Sequence, residues 1–135
     1  MPDLNLKVHH IGYLTKKLEK SRDQFLALGY TVEKPSKYDE IRDINIEFLM
    51  KDGYRVELIE PAGKESRMYP LLKTYRNTPY HICYEVKDID AAVSELEEMR
   101  YQVIDPPETA PCIDGAPVAF LMHRSMGIIE LVEIK

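Results

Sequence analysis

Two histidines and two glutamates carry the chemistry open to this sequence. His10 stands in V-H-H-I-G-Y-L-T and His81 in T-P-Y-H-I-C-Y-E-V, each an imidazole among apolar neighbours. Glu57 stands in Y-R-V-E-L-I-E-P and Glu130 in G-I-I-E-L-V-E. Alternation along an extended chain puts Glu130 on the same face as Ile128 and Val132, where an unpaired carboxylate is costly. Two imidazole nitrogens and two carboxylate oxygens make a suitable set for a divalent ion such as Zn, Ni, Co or Fe. Four protein ligands around an octahedral ion leave two positions for water or substrate, as catalysis requires. Taken singly, a strand histidine is most often a satisfied core residue and a strand glutamate an edge charge. Their recurrence in pairs is what favours a metal.

The elements that must position these side chains come in two copies. Residues 8–15 read as a strand. Leu18, Ser21, Phe25 and Leu28 recur at helical spacing and predict an amphipathic helix over 16–28, ended by Gly29. A second strand covers 30–33, and Pro35 opens a polar loop to Asp43. Ile44, Ile46 and Phe48 alternate into a third strand, Lys51-Asp52-Gly53 makes a hairpin turn, and 54–60 form the fourth. Residues 62–77 connect the halves, and Met68, Leu71, Leu72 and Tyr75 predict a short helix there. The order then restarts with a strand over 79–86. A helix follows that Asp88 or Asp90 can cap, with Ile89, Val93, Leu96 and Met99 as its apolar stripe. A strand over 101–104, a long loop from Pro106 to Gly115, and strands over 118–122 and 128–134 complete it.

The repetition holds residue by residue. His10, Ile11, Tyr13, Lys16, Tyr30, Val32 and Pro35 correspond to His81, Ile82, Tyr84, Lys87, Tyr101, Val103 and Pro106 at one constant offset. Phe48-Leu49-Met50 matches Phe120-Leu121-Met122, and Glu57, Leu58 and Glu60 match Glu130, Leu131 and Glu133, the offset growing by one residue at each step. The chain is read as two β-α-β-β-β modules in a single domain, over 8–61 and 78–135, joined by 62–77. Residues 1–7 are a short leader. His9 points away from His10 and is expected exposed or under the helix. His123, the counterpart of Lys51, is expected solvated in its turn. Glu60 and Glu133 recur at strand ends and read as structural.

Composition narrows the function classes. A chain of 135 residues with 44% hydrophobic and 30% charged residues is an ordinary globular domain. Its net charge of −5 disfavours a nucleic-acid partner. No apolar run approaches the roughly 20 residues that span a bilayer, so no membrane partner is expected. The absence of an apolar leader makes the cytoplasm the expected compartment. Cys83 and Cys112 are too few for a disulfide framework and read as small buried side chains.

These residues resemble the vicinal oxygen chelate superfamily, the group of glyoxalase I and methylmalonyl-CoA epimerase. The likeness runs from Val8 to Ile134 and is carried most specifically by P-Y-H-I-C-Y-E-V-K-D-I and V-A-F-L-M-H-R-S-M-G-I-I-E-L-V-E. It implies an α+β fold in which two β-α-β-β-β modules form a cupped eight-stranded mixed sheet around one metal. The ligand pattern carries over onto His10, Glu57, His81 and Glu130, with one Ni, Co or Zn ion per site. The chemistry implied is proton abstraction next to a carbonyl through a metal-stabilised enediolate. Glu130 is the first candidate for the base and Glu57 the second. The substrate implied is a small molecule, either a thiol hemithioacetal or an acyl-CoA thioester, and a homodimer is expected.

Within that group, Glu57 stands where some epimerases carry glutamine, and the turn before Glu130 is short. Both features tilt the expectation towards a glyoxalase I-like lactoylglutathione lyase. Glu40, in Y-D-E-I-R-D, argues the other way. Epimerase-like relatives carry an acidic residue there as a second base, although a solvated loop charge would look the same. An epimerase-type racemase is therefore the alternative, and a non-catalytic binding protein of the superfamily the third reading. Ring-cleaving dioxygenases keep their ligands within one module, fosfomycin-modifying relatives carry histidine near Glu57, and drug-sequestering members lack the four ligands. This sequence fits none of those three patterns.

Overall fold

The structure is a computed structural model, and it describes residues 4–135. Of the expected leader, residues 1–3 lie outside the described residues. The elements run β1 (Lys7–Leu14), α1 (Leu18–Ala27), β2 (Thr31–Asp39), β3 (Ile44–Lys51), β4 (Tyr54–Pro61), α2 (Tyr69–Tyr75), β5 (Thr78–Val86), α3 (Ile89–Glu98), β6 (Gln102–Ala110), β7 (Ala116–His123) and β8 (Gly127–Glu133). The strands form an eight-stranded mixed sheet in the order β2-β3-β4-β1-β5-β8-β7-β6. This is the α+β fold class that the resemblance implies. Among the described residues no helix is long and apolar enough to cross a membrane.

The chain divides into two compact units, His10–Tyr80 and His81–Lys135, the second joined by the residues up to His9. The units follow the two modules, except that the leader belongs with the second. Leu4 and Leu6 account for that, because both pack on the core of Val86, Ile89, Val93, Leu96 and Leu131. In the first unit β1 pairs with β4 in parallel and β4 with β3 antiparallel. In the second, β5 pairs with β8 in parallel and β8 with β7 antiparallel.

The two edge strands outrun expectation in the same way. The loop expected from Pro35 to Asp43 is strand as far as Asp39, and the loop expected from Pro106 to Gly115 is strand as far as Ala110. Pro35 falls inside a register shift between Lys34 and Lys37, and Pro106 and Pro107 inside one between Asp105 and Glu108. An edge strand pairs on one side only, and a bulge leaves a residue out of the ladder, so proline costs no bond there. The hairpins explain the drifting offset. Asp52 and Gly53, at φ 52° and 82°, form a two-residue loop of the kind that twisted strands prefer. The β7–β8 hairpin needs three residues, closed by Met126 N–H donating to the His123 carbonyl and by Gly127 at φ 72°.

Both helices are started by the end of their module's last strand. Glu60 Oε2 accepts from Leu18 N–H at 2.8 Å, and Glu133 Oε2 accepts from Ile89 N–H at 3.0 Å. A carboxylate there satisfies an amide with no partner in the helix and complements the helix dipole. Asp88 adds a side-chain cap by accepting from Ala91 N–H, whereas Lys17 gives α1 none. α3 buries Ile89, Ala92, Val93 and Leu96, but α1 buries only Leu18. Leu28, expected on the buried stripe, is the C-cap residue of α1 and is 69% exposed. The last turn of a helix no longer follows the stripe of its interior.

Candidate active site

Each unit carries one buried histidine–glutamate pair, built in the same way. In the first unit Gly12 of β1 lies opposite Glu57 of β4, which lies opposite Phe48 of β3. His10, two residues before Gly12, therefore shares a sheet face with Glu57. His10 Nε2 stands 3.3 Å from Glu57 Oε1, and the edge-on ring of Phe48 is 5.6 Å away, centroid to centroid. In the second unit Cys83 of β5 lies opposite Glu130 of β8, which lies opposite Phe120 of β7. His81 Nε2 stands 3.0 Å from Glu130 Oε1, with Phe120 edge-on at 5.3 Å.

All four polar side chains are buried, His10 at 1%, Glu57 at 3%, and His81 and Glu130 each at 4% exposure. Carboxylates so far from water need a cation or strong donors, since burial alone disfavours their charge. The parallel β1–β4 and β5–β8 pairings fix the histidines against the glutamates through backbone rather than through mobile loops. The phenylalanine edges close the apolar side of each imidazole. Sequence comparison pairs Phe48 with Phe120 but gives no hint that they touch the histidines.

The remaining candidates fall elsewhere. Glu40 is exposed in the turn after β2. That turn is held by buried Asp39, whose carboxylate accepts from Ile41 N–H at 2.9 Å, Arg42 N–H at 3.0 Å and the Arg42 guanidinium at 3.0 Å. His9 is half-buried on β1. His123 is not the solvated turn residue expected; it is half-buried, accepts from Ser125 N–H at Nδ1 and lies 4.8 Å from the Tyr101 ring. Cys83 and Cys112 are buried and outside any disulfide among the described residues, as expected. A buried ion pair between Arg22 and Glu47, at 2.6 Å, was not foreseen. Its only sequence trace is an arginine one turn after Leu18 and a glutamate within an apolar strand.

The model of the family described as Glyoxalase/Bleomycin resistance protein/Dioxygenase superfamily matches residues 9–120. The mitochondrial methylmalonyl-CoA epimerase of Dictyostelium discoideum is 32% identical over 133 residues, covering 94% of this chain and 78% of that one. The ethylmalonyl-CoA/methylmalonyl-CoA epimerase of Cereibacter sphaeroides is 28% identical over 132 residues, covering 95% of this chain and 98% of its own. Among solved structures, a hypothetical protein from Bacillus halodurans superposes with a TM-score of 0.84 at 26% identity, over 96% of this chain and 95% of that one.

Proposed function

Because the chain belongs to the Glyoxalase/Bleomycin resistance protein/Dioxygenase superfamily, the vicinal oxygen chelate group that its sequence resembles, we propose that it is a metal-dependent epimerase of an acyl-CoA thioester of the methylmalonyl-CoA type. The observation that carries this reading is the epimerase name of relatives whose likeness covers 94% and 95% of this chain. It reverses the tilt towards a lactoylglutathione lyase. Glutamate in place of glutamine at Glu57 and a short turn before Glu130 are two local features, and they weigh less than likeness along the whole chain.

In this reading the modules act as one domain, and His10, Glu57, His81 and Glu130 together hold one divalent ion. Their donor chemistry supports it, being two imidazoles and two carboxylates, all buried. Bound there, Ni, Co or Zn would supply Lewis acidity towards a thioester carbonyl. The residues of the chain do the rest. A carboxylate takes the proton from the carbon next to the carbonyl, and a second acid returns it on the opposite face. Glu130 is the first choice for the buried base and Glu57 the second. Glu40 is the candidate for the opposite face, and its exposed turn leaves it open to a substrate. We place the protein in the cytoplasm as a homodimer, the commonest oligomer, which light scattering would check.

The deciding experiment incubates metal-loaded protein with one epimer of methylmalonyl-CoA in D2O and follows configuration and deuterium at C2. Inversion with label incorporation is expected, and the hemithioacetal of methylglyoxal and glutathione should not turn over. Turnover of the hemithioacetal alone would overturn the proposal. Glu40→Gln should lower inversion by about 10²- to 10⁴-fold, the usual worth of a positioned acid or base, while C2 exchange persists.

A further inference from the structure

The second unit carries a basic pocket that has no role in the site described above. Arg100, Gln102, Met122, His123 and Arg124 line a cavity of about 400 Å³, at the α3–β6 turn and the turn end of the β7–β8 hairpin. None of the five is acidic. Among the described residues neither Arg100 nor Arg124 makes an ion pair. His123 Nδ1 accepts from Ser125 N–H at 3.0 Å, so its neutral ring carries the proton on Nε2 and presents a donor.

The first module shows what this corner looks like when it serves no ligand. Gly29, Thr31, Lys51 and Asp52 are the counterparts of Arg100, Gln102, His123 and Arg124. There the Lys51 ammonium lies over Gly29, so close that an added Cβ would meet it at 2.9 Å, and it pairs with Asp52 at 3.7 Å. The corner fills and neutralises itself. In the second module an arginine replaces the aspartate, and another replaces the glycine at φ 75°, a backbone angle that glycine adopts without steric penalty. Space and positive charge are both kept open in a chain that is acidic overall.

We propose that this pocket binds a phosphate monoester. Two guanidinium forks, an imidazole N–H and an amide suit a tetrahedral group with three terminal oxygens better than a planar carboxylate with two. The cavity exceeds a bare phosphate several-fold, which leaves room for the group esterified to it. The 3′-phosphate of coenzyme A and the phosphate of a free nucleotide share this chemistry. The inference does not rest on the epimerase reading, because it concerns equilibrium binding without turnover.

Isothermal titration of the full chain with adenosine 3′-monophosphate, coenzyme A and 3′-dephospho-coenzyme A tests it. The double variant Arg100→Gly/Arg124→Asp, which installs the residues of the first module, should bind adenosine 3′-monophosphate at least about tenfold more weakly, as loss of charge-assisted bonds implies. Nitrogen chemical shifts of His123 should move on titration of the parent protein and stay still in the variant. A coenzyme A affinity that falls with its 3′-phosphate, in the parent only, would identify that molecule as the source. Equal loss for adenosine 3′-monophosphate without such a difference would assign the pocket to a free phosphate monoester. Equal affinity of parent and variant, or binding abolished instead by Lys16→Ala/Lys20→Ala at the groove beside α1, would overturn the proposal.

Discussion

The two modules repeat their histidine–glutamate pairs and much of the core under their helices, and part company at one contact on the helix face. Around each histidine the parts recur: His10 with His81, Glu57 with Glu130, Phe48 with Phe120, in matching registers. On the helix face the first module sets Arg22 against buried Glu47, where the second has Val93 and Ala119 at the corresponding positions. A face that only seats a helix accepts either an ion pair or a few methyl groups, since a buried pair and a well-packed apolar contact of similar volume are close in stability.

The largest effects should come from breaking the copied pairs unevenly. His10→Ala and His81→Ala should each reduce bound metal below one equivalent by elemental analysis and lower turnover at least about 10³-fold. Glu130→Gln should cost more activity than Glu57→Gln at comparable metal content if Glu130 is the base. Equal losses would remove that distinction between the halves.

Next comes the divergent contact. Glu47→Ala alone strands the Arg22 charge and should destabilise by about 3 kcal/mol in urea unfolding, the lower end for breaking a buried pair, since Arg22 is a quarter exposed. The double change Arg22→Val/Glu47→Ala, which copies the second module, should recover most of that loss. No recovery would mean that the ion pair does more than fill its place.

The helix starts give a smaller contrast. Asp88→Ala should lose about 1 kcal/mol with the cap of α3, and Lys17→Asp should add a fraction of that to α1, which has none. Thermal unfolding of the two variants reads both.

The smallest effect sits at Tyr101. Burial, with a lesser contribution from the Tyr84 charge, holds its phenol above the ordinary value of 10.0. The folded state therefore keeps this proton after the unfolded chain has released it. The associated stability is fully present below the unfolded value and is lost as pH rises through the folded one. Tyr101→Phe should flatten the alkaline fall of the unfolding midpoint, and an unchanged slope would refute the assignment.

The buried pairs were legible because an internal copy substitutes for an alignment. One strand histidine says little, whereas His10 and His81 at equivalent points say much. Alternation then put Glu130 on a face too apolar for a lone charge, and the repeat extended the reading to Glu57. The edge strands were misjudged because the rule that proline ends a strand is local, and the bulges around Pro35 and Pro106 are set by the partner strands. Arg22 and Glu47 are far apart in sequence, and nothing in either segment announces the other. The substrate was legible least. A ligand set proposed for a metal points to a type of reaction, while the choice of substrate lies in residues with no motif.

The carboxylates of Glu60 and Glu133 fasten the last strand of each module to the first turn of that module's own helix. Each half is thereby buckled to itself, end to beginning, before the rest of the chain is considered. A segment that carries its own clasp can be doubled, spaced out or reordered without coming undone. The connecting stretch is moored to the first half, by buried Ser66 donating to the Arg42 carbonyl and by Asn77 accepting from Lys16 N–H.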